Sequence, residues 1–359
     1  MSSAVNFATF VISDTHLGKC LASEPEFSQI ASAEGILEFL KFVAKVNFAR
    51  LILLGDIFDF WAHPLDRKPP ANLNELIMGS PVRAHIEQVC AALADLSHRI
   101  PVIYVLGNHD WCVTQRDVAR CISPDIPVYS RFIYDGVTYE HGCEYDIACA
   151  AIPLRDPQKF LPIGYYATRC GATAGRSPEG TSRIVRRIMA AKSVESLATI
   201  QDAMMLPCVA QRIWKGVIKS ALGRRGKLTD ADVCIDPDGS AVKLTDVIAE
   251  RRDVPAAFAA KFAGCDFPVA RMVNVSAGEC GYWQRWCAAR DNAKCSVFAH
   301  THRVLGEAAP CFNCGTMGPA AARKAGRGTF LRVTDAVVEA YSWPFAARIG
   351  QPIFLRMST

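Results

Sequence analysis

The sequence predicts a layered α/β core interrupted by a large, mainly helical insertion. Short apolar runs of strand length alternate with amphipathic helical stretches over the first third of the chain, strand-like runs return near its end, and the residues between differ in periodicity and charge. Residues 9–13 and 50–54 are the first two strand-like runs, and 31–45 between them places Ile36, Phe39, Leu40 and Val43 on one helical face. A loop rich in proline and asparagine follows at 64–74. Residues 81–97 then read as a helix and 101–106 as a third buried strand. The segments 129–134 and 137–140 meet at Asp135-Gly136, a dipeptide that favours a tight hairpin. Residues 295–299, 309–313, 328–333 and 337–342 complete the set of expected strands.

The stretch 147–292 has helical periodicity broken by glycine and proline, so the expected division is a core of residues 1–146 and 293–359 with a cap of 147–292. The first half of the cap is basic. Residues 155–227 carry 14 Lys and Arg against 4 Asp and Glu, whereas the whole chain has a net charge of only +5. The clearest cap helix is 207–222, where Val209, Ile213, Trp214, Val217 and Ile218 form a stripe flanked by Arg212, Lys215 and Lys219. Two readings stay open: a packing helix with a solvated basic face, or a surface for anionic lipid or another anionic ligand.

Composition sets broad limits. Apolar residues make up 50% of the 359 and charged ones 21%, the balance of a folded chain rather than a disordered one. No apolar run reaches bilayer-spanning length, and residues 7–12 read as a strand rather than as part of a signal peptide, so a cytoplasmic protein is expected. The 15 cysteines are scattered and odd in number. The close pair Cys311 and Cys314 lacks a second CxxC at zinc-finger spacing and is expected to be buried free thiols.

Five short motifs carry the chemistry, each at the end of an expected strand. They are SDTH with Asp14 and His16, LLGDIFD with Asp56, LGNHD with Asn108, His109 and Asp110, EHG with His141, and AHTH with His300 and His302. A single His or Asp at a strand end is usually an ordinary turn residue, but five such motifs in this order point to one polar centre. Hydrolysing a phosphoester near neutral pH requires a strong oxygen nucleophile and neutralised phosphoryl oxygens. Two divalent cations roughly 3.5–4 Å apart supply both. Mixed nitrogen and oxygen donors suit manganese, iron or zinc better than magnesium or calcium. Open α/β sheets place such centres at the carboxyl ends of their strands.

Together these motifs resemble the calcineurin-like metallophosphoesterase superfamily over residues 7–146 and 295–343. The resemblance implies a β-sheet sandwich flanked by helices. It also implies one metal held by Asp14, His16, Asp56 and His302 and a second held by Asp56, Asn108, His141 and His300, with Asp56 as the bridge. By the same resemblance His109 contacts the phosphate and helps protonate the leaving group, while Asp110 orients its imidazole. Manganese is the first expectation for both ions, with iron or zinc as alternatives. Asp59, Trp61 and His63 follow the bridging aspartate and either face the substrate or serve local packing.

Within the superfamily, GDIFDFW is most similar to the branch of UDP-2,3-diacylglucosamine diphosphatases, which also carry a basic helical lid. His109 stands where those enzymes often have arginine, Ala299 where glycine is usual, and Cys143 where His or Asp is common. The implied substrate is a small or amphipathic phosphoester, including nucleotide-linked lipids, with peripheral contact to an anionic membrane through the basic cap. Two alternatives are a nuclease, whose nucleic-acid partner the basic cap would suit, and a non-catalytic scaffold on the same fold, which has no reason to keep a full ligand set.

Overall fold

A computed structural model describes residues 8–21, 26–150, 161–175, 206–223, 226–261, 293–302, 304–305, 311–318, 328–335, 337–344 and 347–354. The mixed α/β fold is the one expected. Its first sheet has seven strands. β1 (Ala8–Ile12), β2 (Ala49–Leu54), β3 (Val102–Val105) and β4 (Val128–Tyr129) run parallel along one half. The C-terminal strands 328–333, 337–343 and 347–354 extend it antiparallel from the free side of β1. A second, five-stranded sheet contains β5 (Phe132–Tyr134), β6 (Val137–Tyr139) and three strands from 295–298, 304–305 and 311–314.

The period-2 alternation of the strands decides which side chain enters which layer. Val11, Ile52, Leu54, Ile103 and Val105 face the second sheet and pack with Val137, Tyr139 and Val297. Phe10, Ile12, Leu51, Leu53 and Tyr104 face the opposite way, into a larger core with Phe39, Leu40 and Val43 of α1 (Glu26–Val43) and Ile86, Val89 and Leu93 of α3 (Arg83–Ser97). Strands buried on both faces account for the continuous apolar runs in the sequence. The predicted hairpin forms between β5 and β6, with Asp135 at φ 49° and Gly136 at φ 71°, as a two-residue primed turn requires. Tyr129 is a correction: it belongs to β4 in the other sheet, not to the hairpin arm.

Two short helices fall where no helix was expected. α2 (Leu73–Gly79) is capped by Asn72, whose side chain accepts from Glu75 N at 3.0 Å. α4 (Gln115–Cys121) begins with a reciprocal capping box between Thr114 and Asp117.

Within 147–292 the described residues form α5 (Ile163–Thr173), α6 (Pro207–Ala221), α7 (Leu244–Glu250) and α8 (Val254–Lys261), together with an unexpected hairpin of Val233–Ile235 and Ala241–Lys243. The rest of the expected cap, including most of its basic first half, lies outside the described residues. Helix α6 was correctly placed by its periodicity. Ala210, Trp214, Ile218 and Leu222 are buried along one line, and Ile213 and Val217 pack partly against the same core as α1 and β1. Trp214 also donates its indole N–H to Arg251 O at 3.1 Å. Its stripe is therefore occupied by protein, which favours the packing reading; Arg212 and Lys215 remain exposed. Among the described residues, no helix is long and apolar enough to cross a membrane.

Candidate metal centre

The motif residues sit just past strand carboxyl ends. Asp14 follows β1 by two residues, Asp56 follows β2 by two, Asn108 follows β3 by three and His141 follows β6 by two, while His300 and His302 follow the strand 295–298. Because these strands run parallel within each sheet, their ends gather at one edge of the sandwich. The backbone turns sharply there. Asp14, His16, Asp56, His300 and His302 have φ of 51°, 48°, 54°, 69° and 57°, in the left-handed region that costs an L-residue free energy. Only Phe48 and Asp135 share this conformation among the other described non-glycine residues. Strain concentrated in this way is characteristic of functional sites.

Six of the seven expected ligands are brought together with their donor atoms facing. Asp14, His16 and His302 offer donors all within 4.8 Å of one another, as do Asp56, His141 and His300, and so do His16, Asp56 and His109. Asp14 Oδ1 lies 3.0 Å from His302 Nε2 and 3.9 Å from His16 Nε2. Asp56 Oδ2 lies 3.2 Å from His141 Nε2 and 3.9 Å from His16 Nε2, so one oxygen reaches toward both groups. Asn108, the seventh, is buried at the same strand edge.

The donor set fits cations. Asp14 Oδ1, Asn108 Oδ1 and His141 Nε2 are buried without a hydrogen-bond partner among the described residues, and His16 Nε2 and His302 Nε2 approach to 3.3 Å. Buried donor atoms that converge in this way are satisfied by a positive charge placed among them. Burial opposes charge on Asp14 and Asp56, but neighbouring histidines outweigh it and hold both carboxyls below the usual range.

The outer nitrogens are fixed by the surrounding chain. His141 Nδ1 is 2.8 Å from Leu54 O, which leaves Nε2 for the centre. His16 Nδ1 is 3.1 Å from Asp59 Oδ2, again leaving Nε2. His300 Nε2 is 3.1 Å from Asp146 Oδ2, so the nitrogen left for a metal is Nδ1. Such partners set the ring orientation and tautomer of a metal-binding histidine. Asp146 was not singled out in the sequence, where only its place five residues after His141 hinted at a role.

The carboxylate in contact with the His109 ring is Asp59, not Asp110. His109 Nδ1 lies 2.7 Å from Asp59 Oδ1, and that oxygen is itself held by Trp61 N at 3.0 Å and Ala62 N at 2.8 Å. Asp110 is turned away, accepting from Tyr104 Oη at 2.6 Å, Gly107 N at 2.6 Å and Ile57 N at 2.8 Å. It ties the LGNHD loop to the Asp56 loop. Trp61 lies against the His109 ring, with centroids 4.7 Å apart and planes inclined by 32°. Burial disfavours the imidazolium of His109, but Asp59 and Asp56 outweigh it and raise its pKa above the ordinary 6.5.

Two glycines permit this close approach. A Cβ on Gly107 would collide with the Asp56 carboxylate and backbone nitrogen, and one on Gly55, at φ 79°, would lie 2.5 Å from His141 Nδ1. Cys314 is buried as a free thiol, 2.8 Å from Ser13 Oγ, in the core between the sheets. The side chain of its expected companion Cys311 lies outside the described residues, as does Arg303.

The model of the calcineurin-like phosphoesterase family matches residues 7–159. That span contains Asp14, His16, Asp56, Asn108, His109 and His141, and the match supports the superfamily that the motifs resemble. No curated protein matches the chain.

Proposed function

We propose that this chain is a metal-dependent phosphoester hydrolase with a dinuclear centre. The convergence of Asp14, His16, Asp56, His141, His300 and His302 at one strand edge carries the reading. Asp14, His16, Asp56 and His302 would hold one ion, and Asp56, Asn108, His141 and His300 the other. Asp56 is the residue shared by the two sets, and its Oδ2 reaches toward donors of both groups. Manganese fits this mixed donor set, as do iron and zinc. Bound there, the ions would neutralise phosphoryl oxygens and lower the pKa of water.

The chain's own residues supply the rest. His109, held at Nδ1 by Asp59, presents Nε2 as the proton donor to the leaving oxygen, and the carboxylates of Asp59 and Asp56 favour its protonated form. Trp61 covers one side of that imidazole and limits water there. The substrate is a small phosphodiester or pyrophosphate, including nucleotide-linked lipids, on the strength of the GDIFDFW resemblance. Since the α6 stripe is covered by protein, it lends no support to membrane contact.

The test is a metal-reconstituted activity panel of a nitrophenyl phosphodiester, a phosphomonoester, UDP-linked diphosphates and single-stranded DNA. Metal-dependent turnover of the small esters is expected. Processing of DNA alone would favour the nuclease reading, and inactivity with every metal would favour a scaffold.

A further inference from the structure

A cation lies in the inserted region with every donor turned onto main chain or a phenol. Arg169, on α5, is fully buried. Its Nε donates to His63 O at 2.6 Å, and Nη2 donates to Pro64 O at 2.6 Å and Arg67 O at 2.5 Å. Nη1 donates to Ile235 O at 2.9 Å and to Tyr165 Oη at 2.6 Å. The guanidinium thus gathers three carbonyls of residues 63–67, the continuation of the turn that carries Asp59 and Trp61. Thr173 Oγ1, one turn further along α5, takes Leu65 N at 2.8 Å.

The same helix reaches the His109 ring from another side. Tyr165 meets Trp61 edge to face, with centroids 5.9 Å apart and planes at 89°. Trp61 in turn lies against His109. The Arg169 hydrogen bond fixes the Tyr165 phenol, Tyr165 fixes the Trp61 indole, and the 63–67 clamp fixes the turn whose Asp59 orients the imidazole. Two short routes therefore run from one guanidinium to one ring. A buried arginine whose donors meet no carboxylate among the described residues is expensive unless each donor is used, and here three of its hydrogen bonds are spent on the segment behind the site.

We propose that Arg169 and Tyr165 are positioning residues for His109, so that the inserted region completes the chemical centre rather than only covering it. This rests on the reading of His109 as the proton donor. The experiment compares His109→Ala, Tyr165→Phe and Arg169→Lys, each with two esters, one with a nitrophenolate leaving group and one with an alkoxide. Bound metal is measured in parallel. Arg169→Lys is paired with Tyr165→Phe because losing the guanidinium disturbs folding, whereas losing one hydroxyl leaves the ring in place.

Tyr165→Phe is expected to keep its metal and lose about tenfold in kcat on the alkoxide ester, with little change on the nitrophenyl ester. Arg169→Lys should show the same selectivity with a larger loss, while KM moves little in both. If His109→Ala is selective for the alkoxide ester but Tyr165→Phe and Arg169→Lys slow both esters equally, the positioning role is overturned and the two are merely structural. Wild-type turnover in both variants overturns it as well. If His109→Ala shows no selectivity, the proton-donor reading fails and takes the positioning role with it.

Discussion

Asp59 joins two neighbouring imidazoles, one through each carboxylate oxygen, with Oδ1 2.7 Å from His109 Nδ1 and Oδ2 3.1 Å from His16 Nδ1. A single carboxylate thereby orients both the proposed proton donor and a proposed metal ligand. Burial favours the neutral acid, but His109 and His16 outweigh it and hold the Asp59 carboxyl well below its usual range.

Replacing Asp59 by asparagine should therefore cost more than one function. kcat should fall roughly 10–100-fold, and metal affinity should weaken by a similar factor, the usual effect of removing a carboxylate behind a ligating histidine. Steady-state kinetics and equilibrium metal titration would check this. Loss of kcat with unchanged metal affinity would show that the Asp59–His16 contact is idle.

His109→Ala should retain its metal and lose about 10²–10⁴-fold in kcat on esters with poor leaving groups. Asp110→Ala should behave differently. It strands three buried donors, Tyr104 Oη, Gly107 N and Ile57 N, each worth about 1–3 kcal/mol when left unsatisfied. Thermal unfolding should show a large loss of stability for Asp110→Ala and little for His109→Ala. Equal stability of the two would restore Asp110 as a candidate for direct participation.

Metal affinity should rise with pH. In the metal-free protein burial opposes charge on His141, but Asp56 beside it pushes its pKa up to about 9. A metal takes the neutral ring, so protons compete with it below that value. The apparent affinity should climb about tenfold per pH unit for this group as pH rises toward 9 and then level off. Competition with a chelator of known affinity at several pH values measures the slope, and a flat profile would exclude His141 as a ligand.

On α6, Trp214→Ala should destabilise the fold by about 3–5 kcal/mol, because a buried indole would leave a cavity. Neutralising Arg212, Lys215 and Lys219 together should leave stability and nitrophenyl ester turnover near wild type. Denaturant unfolding and a kinetic assay separate the two. A strong loss of vesicle binding in the triple variant would return the helix to the membrane reading.

The ligand motifs were legible because each lies in a short segment at the end of an apolar run, where residue type and strand end coincide. The Asp135-Gly136 turn and the periodicity of α6 were legible for similarly local reasons. Asp59 was not chosen because its partner His109 is 50 residues away, while Asp110 is adjacent and of the same chemistry. Only the fold shows which carboxylate turns inward. The caps of α2 and α4 are present in the sequence as Asn72 with Glu75 and Thr114 with Asp117, but each helix has only seven residues, too few for an apolar periodicity to stand out. The final strand Ala347–Phe354 contains glycine and Pro352, residues that argue against a central strand. It lies at the sheet edge, where a missing donor is tolerated.

The left-handed backbone at Asp14, His16, Asp56, His300 and His302 bears on how these residues are probed. An alanine scan would remove a ligand and at the same time place a residue that tolerates this conformation poorly, so lost folding and lost chemistry would be confounded. Asparagine accepts the same φ far more readily. It still offers a side-chain oxygen, so Gly is the substitution that separates the two costs: a phenotype shared by Gly and Ala reports on the donor atom, and one confined to Ala reports on the bend of the chain.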